Sequence, residues 1–455
     1  MLLRSLKILV LFLMPVLAFR PGVFSPQILG DPQPTYQDSD AQRSLDVRKK
    51  ENNMQLVFSS QRTWVGKTII VKKPAIVISK VDDTGKRVHV EVLDQIAYTV
   101  SAEQAGLLKV RTPYGNEGWF DKADAAPLDE AVSFFTDRIR QNPHIVSDYL
   151  CRATALTHLG KFDRAVKDYN EAIRLDPNEP CCYIARGQGW IHVKDYEKAV
   201  GDFNMAARLN PQSAWAFHNR GCVRIDKKEY DEAIRDFNEA IRLDPQLAWA
   251  FNSRGSAWNG KKEYAKAIQD FDEAIRLDPK NVAAFCNRGN AWHEKLDFDR
   301  AMSDYNEALR LEPKYSYAFI SRGTTWFIKN HIDKALSDYN EAIRIDPTNE
   351  VTYYNRGRLW LVKQNHEKSI SDLSKAIELS PKNVDTYILR AYVWSISKEH
   401  DKTIDDCDEI LRLDPSNAYA YNNRGAAWFA KKNMTKQLPI SMKSCDLSRQ
   451  TSLCT

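Results

Sequence analysis

A mainly α-helical solenoid of stacked helix pairs, preceded by a small all-β barrel, is the fold class this sequence predicts, on three observations. Proline recurs every 34 residues from Pro143 to Pro415. Four further columns of residues keep the same step. Ahead of them, residues 56–128 break into short runs rich in β-branched residues, separated by turn residues.

The period is the strongest of the three, because a fixed step of this length marks stacked supersecondary units. Gly or Ala stands at 153, 187, 221, 255, 289, 323, 357, 391 and 425. Small residues that would let two helices approach closely stand at 165, 199, 233, 267, 301, 335, 369 and 403. Phe or Tyr fills 169, 203, 237, 271, 305 and 339, placed to pack the gap between neighbouring pairs. A Trp column runs from Trp190 to Trp428 and is broken by Arg224. Asp-Pro closes most units, since Pro cannot continue a helix interior yet suits a first turn. Each unit is therefore helix, short turn, helix, proline. One such unit cannot bury its apolar stripe alone, so units must stack.

Phe217, Gly221, Ala233, Phe237, Ala240 and Pro245 show the pattern within one copy. These residues closely resemble the tetratricopeptide repeat family. The resemblance covers 144–434 in eight complete copies and a ninth, and it implies a right-handed superhelix with a concave groove. Residues 129–143 resemble the second helix of a partial leading repeat. The last copy departs from the family: Gln437 replaces a small residue and Pro439 interrupts the second helix, leaving 435–455 as a tail.

The resemblance also implies that first helices line the groove, with repeat positions 2, 5, 6, 9 and 12 facing a ligand. Position 6 holds Asn219, Ser253, Asn287, Ser321, Asn355 and Asn423, with Leu389 interrupting. An amide carries two donors and an acceptor, so such a row can grip the backbone of an extended peptide. The competing account is that small polar residues merely solvate a helix face. Trp215, Trp249, Tyr317 and Tyr419 at position 2 are aromatic anchors in one account and inter-repeat packing in the other. Arg occupies 152, 186, 220, 254, 288, 322, 356, 390 and 424, and Asp occupies 168, 202, 236, 270, 304, 338, 372 and 406. Two columns of equal period and opposite charge predict ion pairs tying the helix layers together, where the Arg fork suits a carboxylate, rather than an anion track.

In residues 56–128, strands are predicted at 67–73, 75–80, 88–93 and 107–111, with turns at Asp83-Thr84-Gly85 and Tyr114-Gly115-Asn116. Five or six short strands in this length predict a small barrel. Gly118-Trp119-Phe120, with Trp64-Val65-Gly66 upstream, resembles bacterial SH3-like domains. Trp64, Tyr98, Tyr114 and Trp119, with Phe120, form either an aromatic groove for proline-rich or cell-wall peptides or part of the barrel core.

Residues 1–19 pair Arg4 and Lys7 with an apolar run, Ile8 to Phe19, and Val16-Leu17-Ala18. The run is shorter than the ~20 residues that span a bilayer. It predicts an export signal, cleaved or kept as an anchor that makes the one membrane contact, with 20–55 as a polar linker and a periplasmic or cell-envelope location; the alternative, if the segment is not a signal, is the cytoplasm. The order of signal, SH3-like domain and repeats resembles exported planctomycete-type proteins.

The net charge of +5, from 65 basic and 60 acidic residues mixed along the chain, lacks the clustered basic face that nucleic acid requires. The eight cysteines show no paired metal spacing. Gly66-Lys67-Thr68 is not a phosphate loop, because position 61 is Gln. His293-Glu294 lacks the second His of a zinc-protease helix. No catalytic residue, metal site or cofactor is expected. The expected function is a non-catalytic scaffold that binds proteins or extended peptides in the groove. The alternative is an envelope-anchoring structural protein whose SH3-like domain holds cell wall.

Overall fold

The computed structural model describes residues 64–72, 77–81, 87–92, 97–111 and 117–432. The expected signal, the linker, Tyr114, both barrel turns and the tail lie outside the described residues. The chain forms two compact units, residues 1–287 and 288–455.

The first unit opens with seven short strands: β1 Thr68–Val71, β2 Val77–Val81, β3 Arg87–Val92, β4 Ala97–Gln104, β5 Leu107–Arg111, β6 Glu117–Asp121 and β7 Ala125–Pro127. They pair antiparallel in the order β3-β2-β6-β5-β4-β1-β7. Successive side chains of a strand point to opposite faces, and β1 uses both. Ile69 and Val71 join Tyr98, Val100, Leu108, Val110 and Phe120 in the sheet's own core. Ile70 points the other way, into a cluster with Ala126, Phe135, Cys151 and Ala155. That second face packs on helices Leu128–Gln141 and Val146–His158. β4 has no counterpart among the strands marked in the sequence. Its turn into β5 is Ala105-Gly106, both at positive φ (48° and 78°), where Asn-Gly would have been the legible signal.

Helix Leu128–Gln141 leads the repeats, and complete helix pairs follow it. In the first unit these are Val146–His158 with Phe162–Leu175, Pro180–His192 with Tyr196–Leu209, Ala214–Asp226 with Tyr230–Leu243, and Ala248–Gly260 with Tyr264–Leu277. Helix Val282–Glu294 comes next and pairs in sequence with Phe298–Leu311. The second unit continues with Ser316–Ile328 and Ile332–Ile345, Glu350–Val362 and His366–Leu379, then Val384–Ile396 and His400–Leu413. Among the described residues, the final helix covers 418–432.

Two local devices set each pair. The glycine column is a close approach: a Cβ at Gly255 would stand 2.7 Å from the Phe271 ring, and one at Gly289 2.7 Å from Tyr305. The aromatic of the second helix thus lies on bare backbone of the first. The second device closes the first helix. The second residue after it takes a left-handed conformation: Lys194, Lys228, Lys262, Leu296, Asn330, Gln364 and Lys398 have φ between 59° and 64°, and the equivalent Gly160 has 69°. The following amide then reaches back to the last turn, as Asp195 N–H does to Trp190 C=O at 3.0 Å.

Both devices yield stability predictions. Gly255→Val forces its branched side chain into Phe271 and should cost about 1–3 kcal/mol in chemical denaturation. Leu296, left-handed and 74% exposed, has no packing to lose. Leu296→Gly should therefore raise stability by about 1 kcal/mol, and an unchanged or lower midpoint would show that the turn is unstrained.

Candidate protein-binding face

The first helices carry both the stacking chemistry and the side chains left over from it. The Arg column belongs to stacking. In all eight complete repeats the guanidinium grips the Asp sixteen residues later, on the second helix of its own repeat, at 2.5–2.7 Å. Nε and Nη2 take the two carboxylate oxygens side by side, as at Arg254–Asp270. Nη1 points backward to the second helix of the preceding repeat. Arg186, Arg220 and Arg254 donate there to Asn170, Asn204 and Asn238, each at 2.7 Å. Arg322 and Arg356 do the same to Asn306 and Asn340. One planar cation therefore ties three helices. It also lies over the aromatic three residues earlier, as Arg220 does over Phe217 at 5.2 Å. The Asn column of the second helices, which completes this lock, keeps the 34-residue period and was the signal left unused in the sequence.

The expected amide row is differently disposed. Asn219 is buried and donates to the carbonyl of Trp215 on its own helix, 2.9 Å away. Ser253 is buried, with its hydroxyl 3.1 Å from His218 Nε2. Ser321 is buried as well. The physical reason is that large side chains on adjacent first helices fill the space beside this column. Trp215 stacks on Trp249 with centroids 4.9 Å apart, and His218 meets the Trp249 ring edge-on at 3.9 Å. Trp249 is itself buried, whereas Trp215 is half-buried.

Asn287, Asn355 and Asn423 remain half-buried. Asn287 donates to Asn252 Oδ1 at 3.1 Å, and Asn423 to the Tyr419 carbonyl at 2.9 Å. Tyr317 and Tyr419 are also half-buried. The Tyr317 hydroxyl accepts from Asn290, whose carbonyl oxygen accepts from the buried Tyr305. Tyr419 donates to the Ile388 carbonyl at 3.3 Å. Asn287, Tyr317, Tyr419 and Asn423 are thus half-buried aromatic and amide side chains of the first helices, each held in place by a neighbour.

In the N-terminal sheet, Tyr98 and Phe120 are buried in the core, Trp119 is half-buried on β6, and Trp64 packs at the edge of the core. Trp64 lines a cavity of about 310 Å³ with Lys72, Lys122, Glu130 and Phe134. Lys122 lies 4.4 Å from the Trp64 ring and Lys72 lies 4.8 Å from Phe134. Tyr98 does not line it.

Burial holds His218 down at about 3 and His293 at about 4. Burial also pushes the Cys222 thiol up, so the contact of Cys222 with His218 joins two neutral groups and not a thiolate–imidazolium pair. Among the described residues, no group of three His, Cys, Asp or Glu side chains is placed to hold a metal ion. Among the same residues, no helix is long and apolar enough to cross a membrane.

Three outcomes follow. Asp270→Ala strands the partly buried Arg254 and should cost about 3 kcal/mol. Glu273→Ala, which breaks only the exposed Glu273–Arg276 pair, should leave the midpoint unmoved. The third concerns pH. An imidazole depressed in the folded state protonates first in the unfolded chain, so its stabilisation is full above about 6.5 and is lost as pH falls toward the folded value. Over the ~1.5 units from 6.5 to pH 5 the loss is about 2 kcal/mol for His218. The gap in stability between pH 7 and pH 5 should therefore narrow by about 2 kcal/mol in His218→Gln, with His293 and His158 supplying part of the gap that remains.

With this geometry in hand, comparison with known proteins is direct. Family models described as tetratricopeptide repeat match residues 148–179, 214–247, 289–350 and 351–383, and one described as TPR repeat matches 261–295. No curated protein sequence matches the chain. Among solved structures, the APC/C hetero-tetramer Cut9–Hcn1 is similar at 16% identity and a TM-score of 0.48, over 58% of this chain and 52% of that one. The chain thus spans about half the length of that relative. A tetratricopeptide repeat protein from Parabacteroides merdae shares 18% identity over 55% of this chain and 98% of its own, with a TM-score of 0.48. Yeast Tom70 shares 17% over 70% of this chain and 88% of its own, also at 0.48. Over the matched residues, the helix pairs of this chain are tetratricopeptide repeats.

Proposed function

We propose that the chain is a non-catalytic scaffold that binds a protein segment or extended peptide along the first-helix faces of its repeats, outside the cytoplasm. Tetratricopeptide-repeat scaffolds are typical of protein–protein interaction, and one observation carries the reading for this chain. The repeats spend their strongest cations on one another, Arg to Asp, and leave half-buried aromatics and amides on the first helices: Trp215 and Asn287 in one unit, Tyr317, Asn355, Tyr419 and Asn423 in the other. Pre-ordered aromatics with adjacent amides suit a ligand recognised by apolar side chains and by its own backbone. The apolar run from Ile8 to Phe19 behind Arg4 and Lys7 is what supports a periplasmic or envelope location.

The full chain used as bait beside Trp215→Ala and beside Asn287→Ala/Asn355→Ala/Asn423→Ala should recover partners that both variants lose, at a temperature where circular dichroism shows all three folded. An identical partner set would contradict the reading. Signal cleavage is tested by the N-terminal sequence of the exported protein.

A second reading has its own observation, the cavity of about 310 Å³ beside Trp64. With the sheet taken as SH3-like, this cavity would hold a cell-wall peptide and anchor the scaffold. Co-sedimentation of the full chain with purified cell wall, lost in Trp64→Ala, is the expected result. No co-sedimentation removes this reading and leaves the first untouched.

A further inference from the structure

The helix at 418–432 is built as the first helix of a repeat, and among the described residues no second helix packs on it. Its surface records the difference. Tyr149, Tyr183 and Tyr387 hold the same repeat position as Tyr421 and are 7–9% exposed, whereas Tyr421 is 52% exposed. The ring is nonetheless fixed as in those repeats: its hydroxyl donates to the Pro415 carbonyl at 3.3 Å, as Tyr149 does to Pro143 at 3.2 Å. Arg424 lies over it at 5.5 Å and reaches back to Asp408 at 2.5 Å. The Nε–Nη2 edge of Arg424, the edge that grips Asp in the eight complete repeats, has no partner among the described residues. A Cβ at Gly425 would meet nothing within 4 Å, against 2.7 Å at Gly255. Trp428 is 53% exposed beside it.

Eight internal copies show what fits such a face. Each supplies an Asp to the Arg, in most of them three residues beyond an Ala, and in most a Phe or Tyr directly after the Asp lies on the glycine, as in Ala267, Asp270 and Phe271. The sequence after 432 does not supply that set: Gln437, Ile440 and Ser441 stand at the corresponding positions, with Pro439 among them. A second copy of the chain does not offer it either, because the Asp of each complete repeat is already held by that repeat's own Arg. The open guanidinium edge asks for a carboxylate and the bare backbone at Gly425 for an aromatic ring.

We propose that this terminal face, separate from the first-helix groove, captures an amphipathic helix of a partner protein, recognised by an acidic residue followed directly by Phe or Tyr on a side otherwise lined with small residues. The occupant completes the last repeat from outside, and its carboxylate takes the two donors that an internal Asp takes elsewhere.

The probe is a labelled, helix-stapled peptide with the sequence of residues 264–277, titrated against the full chain by fluorescence anisotropy. Saturable binding is expected. It should weaken about tenfold or more with Arg424→Ala in the chain, or with Asp270→Asn in the peptide. Gly425→Phe, which fills open space and should leave circular dichroism and melting unchanged, should abolish it. Trp215→Ala and Asn287→Ala should leave it intact, which separates this site from the groove. Absence of saturable binding would overturn the proposal. So would binding that persists in Gly425→Phe, because the peptide would then sit elsewhere.

Discussion

The Arg fork is the constraint on which the repeats depend. A guanidinium offers five donors in one plane and cannot give up its charge, so a half-buried site must satisfy it or suffer for it. Here the two donors on one edge meet Asp of the same repeat and Nη1 meets Asn, or an equivalent acceptor, of the repeat before. Pair formation and pair stacking are thereby written into the same side chain. Lys would not serve, because a point charge cannot hold a carboxylate in bidentate fashion and reach a third helix in the same plane. The bare glycine backbone under each aromatic works beside the fork, setting how near the two helices of a pair can come.

An array fastened in this way has a problem at its ends, where a fork or an apolar face lacks its neighbour. At the start the sheet answers it. Ile70 and Ala126 cover Phe135 and Ala131 of the leading helix, and the Cys151 thiol donates to the Val71 carbonyl. The leading helix carries Phe134 where complete repeats carry Asp, so it needs no fork. At the other end, Tyr421, Arg424, Gly425 and Trp428 keep the repeat geometry and remain open among the described residues. The same physics that makes repeats stack makes an unpaired repeat face receptive.

Much of this was legible in the sequence because the repeat is copied many times. The 34-residue proline step, the glycine and aromatic columns and the Arg–Asp columns each have one structural meaning per copy. Repetition separates that meaning from chance. The Asn170, Asn204 and Asn238 column was equally periodic, but its role needed the direction of Nη1, which no spacing gives. The burial of Asn219 and Ser253 in the amide row was hidden for a similar reason. Position within a helix turn fixes a direction, whereas burial depends on how large the neighbours are, and Trp215, Trp249 and His218 are large. Strand β4 was missed because Ala105-Gly106 makes a tight turn without the usual turn residues. The left-handed lysines were invisible because Lys carries no preference for that conformation.

The central claim is that the repeated Arg fastens adjacent repeats and is not a ligand site. A double-mutant cycle on Arg254→Met and Asn238→Ala, followed by equilibrium denaturation of the full chain, tests it most directly, since these residues sit on different repeats and meet only through Nη1. The account predicts non-additive losses with a coupling of about 1 kcal/mol or more. Losses that simply add would show that the contact carries no energy between repeats and would contradict it.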